Sequence, residues 1–288
     1  MRRLWVVVVF ALGLMAMGVA PVASAEPDER ACDKSVLAGD LAGGRIRTRQ
    51  VSPVRAVSPL PCDGVRPGGA IKIPKGDESS LCTLNFMYIG MDPKGGKHVY
   101  MGTAGHCLLA ESNIDKDRGE HRWAPGKGPV VTDVNDKRIG EFAYAIMQGK
   151  KDFALVRIDY GVRVNPQMCW FGGPTGINND RTRASTNVHH YGHGLAIGDV
   201  LPARTSVAYG IPDPDEVDAL GVVIPGDSGG PSITSDGRAL GVVITIGVTF
   251  RADPLGGGTV GISRIQPQLN RAALVLKQRI TIVKAPLI

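Results

Sequence analysis

The sequence predicts an all-β domain, a barrel or sandwich, with one helix near its C-terminal end. Three observations point there. The first is glycine: 38 of 288 residues, nearly double the usual roughly 7%. Such a content argues for many tight turns and hence many short strands. The second is a series of short strand-like runs bounded by Gly, Pro and Asp. The third is that helical spacing occurs well only once, from Pro267 to Gln278. There Leu269, Ala272, Ala273 and Leu276 fall at i, i+3, i+4 and i+7.

In chain order, residues 1–25 read as an export signal. Arg2 and Arg3 form a basic start, Leu4 to Ala20 is an uncharged apolar run, and Ala23-Ser24-Ala25 is a small-x-small cleavage site. An uncleaved anchor is the alternative, since the run is near spanning length. Residues 26–69, rich in Pro, Gly and Arg, read as an extended pro-segment or linker. From residue 70 the pattern changes. "LCTLNFMYIG", "KHVYMGTAGHC", "RIGEFAYAIM" and "DFALVRIDY" look like strands, and "TNVHHYGHG", "ALGVVITIGVTF" and "GTVGISRI" repeat that look in the second half.

Charge and cysteines exclude several classes. Net charge is +6 and falls to +4 without the signal's arginines. No basic run is interleaved with aromatics, so no nucleic-acid partner is expected. No later segment is long and apolar enough to span a membrane, so no stable membrane association is expected after signal cleavage. Five cysteines (32, 62, 82, 107, 169) never fall at C-x-x-C spacing, which leaves a zinc site or redox motif unsupported. His189 and His190 are adjacent in a strand and point to opposite faces. With His193 they make a poor chelate, and no metal or other cofactor is expected.

The chemistry gathers around "IPGDSGGP", residues 224–231. Gly226 to Gly230 fits G-x-S-x-G, but that elbow needs a following helix and a later histidine. Pro231 and a β-rich run follow instead, and the last histidine is His193. A base for Ser228 must therefore come from upstream. His106, in "TAGHC", closes a strand beside a cysteine that could pin its loop. Asp152, in "DFALVRID", is a carboxylate entering an apolar strand, where burial demands a partner. The order His106, Asp152, Ser228 is one of three convergent orders of the catalytic triad.

"TAGHC", "DFALV" and "GDSGGP" together resemble the three catalytic boxes of trypsin-like (chymotrypsin-fold) serine peptidases, over about residues 80–265. The spacings, 46 and 76 residues, are nearer to compact bacterial secreted members. The resemblance implies two packed six-stranded antiparallel barrels, about 70–162 and 175–266, then a C-terminal helix and tail. It implies a secreted monomeric endopeptidase acting on proteins or peptides, with Ser228 as nucleophile, His106 as base and Asp152 orienting it. Gly226 and Ser228 would supply the oxyanion-hole N–H groups. A catalytically silent binding module, or an esterase on the same fold, is the alternative.

Departures from the family raise further expectations. No Ile-Val-Gly-Gly-like start exists to supply a freed amine to Asp227. The strand "VHHYGHG" resembles the family's V-x-x-G-x-G segment, so His190, or failing that His189, is expected to pair with Asp227; Arg183 is the rival. The primary pocket would be formed by Val222, six residues before the nucleophile, with walls at Thr245, Gly247 and Gly261. "TIG" sits one residue late against the family pattern. Val222 is not an acid, so an uncharged apolar or small side chain is expected before the scissile bond. The resemblance also implies disulfides Cys82–Cys107 and Cys62–Cys169, leaving Cys32 unpaired or lost with the pro-segment; Cys32–Cys62 is the rival pairing.

Overall fold

The computed structural model describes residues 35–43, 63–75, 78–109, 119–169, 171–194, 202–247 and 258–287. The expected export signal, residues 1–25, lies outside them. The chain enters as β1 (Val36–Leu37) and a short helix α1 (Ala38–Ala42). There follow β2 (Ala70–Lys75), β3 (Glu78–Thr83), β4 (Met87–Met91), β5 (Lys97–Thr103) and the single turn α2 (His106–Leu109). Then come β6 (Gly119–Arg122), β7 (Val130–Asp133), β8 (Arg138–Gln148) and β9 (Lys151–Ile158). A crossing segment carries β10 (Arg163–Val164) and leads to β11 (Gly176–Ile177). The second half holds β12 (Asn187–Tyr191), β13 (Ala203–Tyr209), β14 (Glu216–Leu220), β15 (Pro231–Thr234), β16 (Arg238–Gly247) and β17 (Thr259–Arg264). Helix α3 (Ile265–Leu276) and β18 (Arg279–Ile282) end it.

Two closed barrels result. In the first, strands run β4-β5-β9-β8-β7-β2-β3. Only residues 84–86 separate β3 from β4. The two are halves of one bent strand, and the sheet closes through it into six strands. In the second, the order β16-β15-β12-β13-β14-β17 closes because β17 also pairs with β16. This is the chymotrypsin-like double barrel that the sequence implies. The closure leaves few free edges, which is how antiparallel sheets avoid edge-to-edge association.

The barrels differ inside. The first is filled by large rings: Phe86, Tyr88, Tyr100, Phe142, Tyr144 and Phe153 are fully buried. The second has a smaller aliphatic cluster, including Val188, Val217, Leu240, Val260 and Ile262. Its interior also takes in polar groups: His190, Ser206, Asp227, Ser232 and Ser263 are buried. Each such group needs a partner, because an unpaired polar group in a dry interior costs about 1–3 kcal/mol.

Two features were not expected from the sequence. Part of the segment read as a linker is docked. β1 pairs antiparallel with β10, and Gly39 N–H donates to Tyr160 O at 3.0 Å. Ala38, Leu41 and Ala42 join the core. The C-terminal tail also folds back: β18 adds to the first sheet beside β4, Arg279 opposite Met91. The helix itself begins two residues before Pro267, and that proline falls within its first turn, where its missing N–H costs nothing.

Candidate active site

The site is built where the barrels meet. His106 opens α2, three residues beyond the end of β5, and Asp152 lies in β9, which pairs with β5. One carboxylate holds the histidine twice. Asp152 Oδ1 accepts the His106 backbone N–H at 2.9 Å, and Oδ2 lies 2.7 Å from His106 Nδ1. Because a carboxylate only accepts, Nδ1 carries the proton and Nε2 keeps its lone pair. That is the tautomer a general base requires. The Asp152 side chain is 12% exposed and that of His106 is 21% exposed, so the ring remains reachable from solvent.

Ser228 comes from the second barrel, on the loop between β14 and β15. Three hydrogen bonds dock this loop on the first barrel. Thr83 N–H donates to Ser228 O at 2.8 Å. Thr83 Oγ1 donates to Gly226 O at 2.6 Å, and Asn85 Nδ2 to Gly229 O at 3.1 Å. The Cys82–Cys107 disulfide, spanning 25 residues, ties Thr83's neighbour to His106's neighbour, with Cys107 Sγ 3.8 Å from Ser228 O. Serine and histidine are thus tied together through adjacent residues. Among the described residues no hydrogen bond joins Ser228 Oγ to the imidazole. Such contacts commonly tighten only with substrate bound.

The loop's own backbone is selective about its donors. The N–H groups of Asp227, Gly229 and Gly230 are taken by Ile224 O, Val243 O and Asp227 O. Among the described residues, those of Gly226 and Ser228 have no recorded acceptor. Gly226 has φ 98°, a conformation open to glycine and strained for other residues.

The expected His190–Asp227 pair is overturned. Asp227, 1% exposed, pairs with Arg204, whose Nη2 lies 2.7 Å from Oδ1. Gly194 N–H and Ile224 N–H supply two further bonds, at 3.0 and 2.8 Å. His190 instead directs Nε2 at Val222 O, 3.1 Å away. Burial, the largest influence, pushes its pKa down to about 4, so it is neutral at physiological pH and a poor counter-ion. A guanidinium keeps its charge when buried and is less strongly hydrated than an ammonium. The rival, Arg183, is exposed. His189 faces the other way, toward Thr205 and Ser235. Arg204 escaped the sequence reading although it stands directly across β12–β13 from His190.

For the residues expected to form the pocket, Val222 is 54% exposed. Thr245 lies opposite Gly261, and Gly247 opposite Thr259, across β16–β17. A register shift between Val243 and Thr245 inserts one residue, which accounts for "TIG" falling one position late. Cys169 is disulfide-bonded; the expected partner Cys62, and Cys32, lie outside the described residues. Cys82, His106 and Cys107 cluster within 4.8 Å, but both sulfurs are spent in the disulfide and offer no thiolate to a metal.

No family model matches the sequence, and no curated protein matches it. Solved structures do align. One is a glutamic-acid-specific serine protease described as using a novel histidine triad in substrate binding. It is 16% identical, with TM-score 0.47, covering 76% of this chain and 100% of that one. A thermostable serine protease from an extremophilic microorganism is 17% identical, with TM-score 0.45, covering 72% and 96%. Kallikrein-related peptidase 10 is 13% identical, with TM-score 0.44, covering 75% and 99%. Likeness at this level carries no chemical inference, so the functional reading rests on this chain's own residues.

Proposed function

We propose that this chain is an exported serine endopeptidase that acts on protein or peptide substrates as a monomer, without a cofactor. What supports the reading most is one arrangement. A histidine held by Asp152 as the Nδ1–H tautomer stands beside a serine loop whose Gly226 and Ser228 N–H groups have no recorded acceptor among the described residues.

Ser228 Oγ attacks the substrate carbonyl as His106 Nε2 takes its proton. Asp152 stabilises the imidazolium that forms. The carbonyl oxygen, now negative, is received by the Gly226 and Ser228 N–H groups. A donor of this kind typically lowers the barrier by about 3 kcal/mol. His106 then protonates the leaving amine, and water repeats the sequence on the acyl-enzyme. The ion pair of Asp227 with Arg204 holds the loop from within the chain, so no freed N-terminus is needed for it.

Val222, Thr245, Gly247 and Gly261 form the primary pocket in this reading. With no carboxylate among them, substrates carry uncharged apolar or small residues before the scissile bond. Profiling cleavage of a peptide library by mass spectrometry tests this. Cuts after Ala, Val or Leu are expected, and a majority of cuts after Lys, Arg or Glu would contradict it.

A further inference from the structure

Behind Val222 lies a layer of polar groups that the catalytic steps do not use. His190 is 3% exposed. Its Nε2 faces the Val222 carbonyl at 3.1 Å, and its Nδ1 lies 3.4 Å from Ser206 Oγ. A carbonyl only accepts, so Nε2 carries the proton and Nδ1 accepts from the Ser206 hydroxyl. Burial, reinforced by the charge on nearby Arg204, keeps the ring neutral. Ser206, 1% exposed, stands against Gly221 so closely that any Cβ at 221 would collide with its Oγ. Gly221 N–H in turn donates to Gly258 O at 3.0 Å. The backbone of 221–222 is therefore held from its inner side, while Val222 as a whole remains 54% exposed.

We propose that His190 is a positioning residue for primary specificity: its Nε2–H, held in register by Ser206, fixes the Val222 carbonyl from behind and thereby sets the pocket floor. The proposal rests on the peptidase reading and on Val222 lining the pocket. It divides labour between two residues that face each other across β12 and β13. Arg204 holds Asp227 and with it the oxyanion loop; His190 holds the floor that meets the substrate side chain. Loss of Arg204 is then felt by every substrate, and loss of His190 by the contrast between substrates.

The test compares wild type, His190→Gln and His190→Leu. The peptide substrates differ only in the residue before the scissile bond, and a small fluorophosphonate serves as a probe lacking that side chain. Glutamine keeps a donor at nearly the Nε2 position, and leucine removes it. His190→Leu is expected to lose about tenfold of the selectivity between best and worst side chain, chiefly through KM, as for a lost hydrogen bond to a buried carbonyl. Its labelling by the fluorophosphonate should stay near the wild-type rate, and His190→Gln should restore selectivity. Should His190→Leu fail to fold, Ser206→Ala gives the same contrast in milder form. Wild-type selectivity in these variants, or a parallel fall in selectivity and labelling, overturns the proposal. A folded wild-type chain that neither cleaves nor labels overturns the peptidase reading, and the proposal with it.

Discussion

Asp227 is a carboxylate 1% exposed to solvent, one residue before Ser228. Its desolvation is offset by Arg204 and by two backbone N–H groups. Removing one partner of such a pair strands the other, at about 3–5 kcal/mol. Arg204→Ala should therefore lower both stability and kcat/KM, and Arg204→Lys should recover part of each. Urea unfolding alongside peptide hydrolysis reads both; an Arg204→Ala chain with wild-type values on both would show that Asp227 is held some other way. The need for a cation was legible in the sequence, from a buried acid with no freed amine to meet it. The residue was not, because residues 192–202 separate β12 from β13 and leave the register across the two strands open. His190 and Arg204 differ in reach and in protonation, and only the folded pairing decides between them.

His190 carries a pH consequence. Its folded pKa is lowered to about 4 by burial, whereas an unfolded histidine takes a proton near 6.5. The unfolded chain therefore binds the extra proton in between. The stability contribution is complete above about pH 6.5 and is lost as pH falls toward 4, on the order of 3 kcal/mol in all. His98 and His189 are shifted the same way, mainly by burial, and add to the slope. Denaturant unfolding at pH 7 and pH 4.5 should show the loss, with a shallower slope in His190→Gln. An unchanged slope in that variant would place the proton elsewhere.

At the scale of elements, the strands and the late helix were legible because alternation and 3.6-residue spacing are local signals. The docked segment around α1 was not. Five residues, AGDLA, are too few to show a period, and their burial depends on partners distant in the chain, β5 and the Tyr160–Val162 segment. α1 packs at the Tyr160 end, where Tyr160 Oη meets Lys97 O, at the start of β5. His106 lies beyond the other end, roughly 20 Å off at about 3.3 Å per strand residue. Leu41→Ala, at a position 7% exposed, should thus cost about 2–3 kcal/mol and lower Tm by several degrees. It should leave kcat/KM unchanged at temperatures where the variant is folded. A large drop in kcat/KM with Tm intact would mean that this segment acts on the site. β18 was equally hidden: "RITI" alternates, but nothing local says which sheet it joins.

Over the whole molecule, the proposed catalytic groups belong to different barrels, and their meeting depends on what joins the two. The link is the set of hydrogen bonds from Thr83 and Asn85 to the Ser228 loop; within the first barrel the Cys82–Cys107 disulfide pins Thr83's neighbour, and its 25-residue loop is worth about 3 kcal/mol in the chain-entropy model. The second bridge is expected between Cys62 and Cys169. Asp63 and Val65, just past Cys62, lie against Arg163, six residues before Cys169. Non-reducing peptide mapping should return a Cys62–Cys169 peptide; a Cys32–Cys169 peptide would contradict the pairing. The three boxes that bring His106 to Asp152 and set Ser228 on a glycine-rich loop stood out in the sequence because the proposed chemistry needs a fixed residue type in a fixed local frame. The bulge that shifts "TIG" and the choice of Arg204 did not, since both are settled by packing between strands.

The central claim is that Ser228 is an activated nucleophile, and covalent labelling tests it most directly. Incubating the folded chain with a fluorophosphonate and mapping the adduct by mass spectrometry should place a single phosphonyl group on Ser228. Labelling should vanish in Ser228→Ala and fall at least a thousandfold in His106→Ala, with circular dichroism unchanged in both. A folded wild-type chain that stays unlabelled, or a Ser228→Ala chain that cleaves peptides at the wild-type rate, would contradict the account.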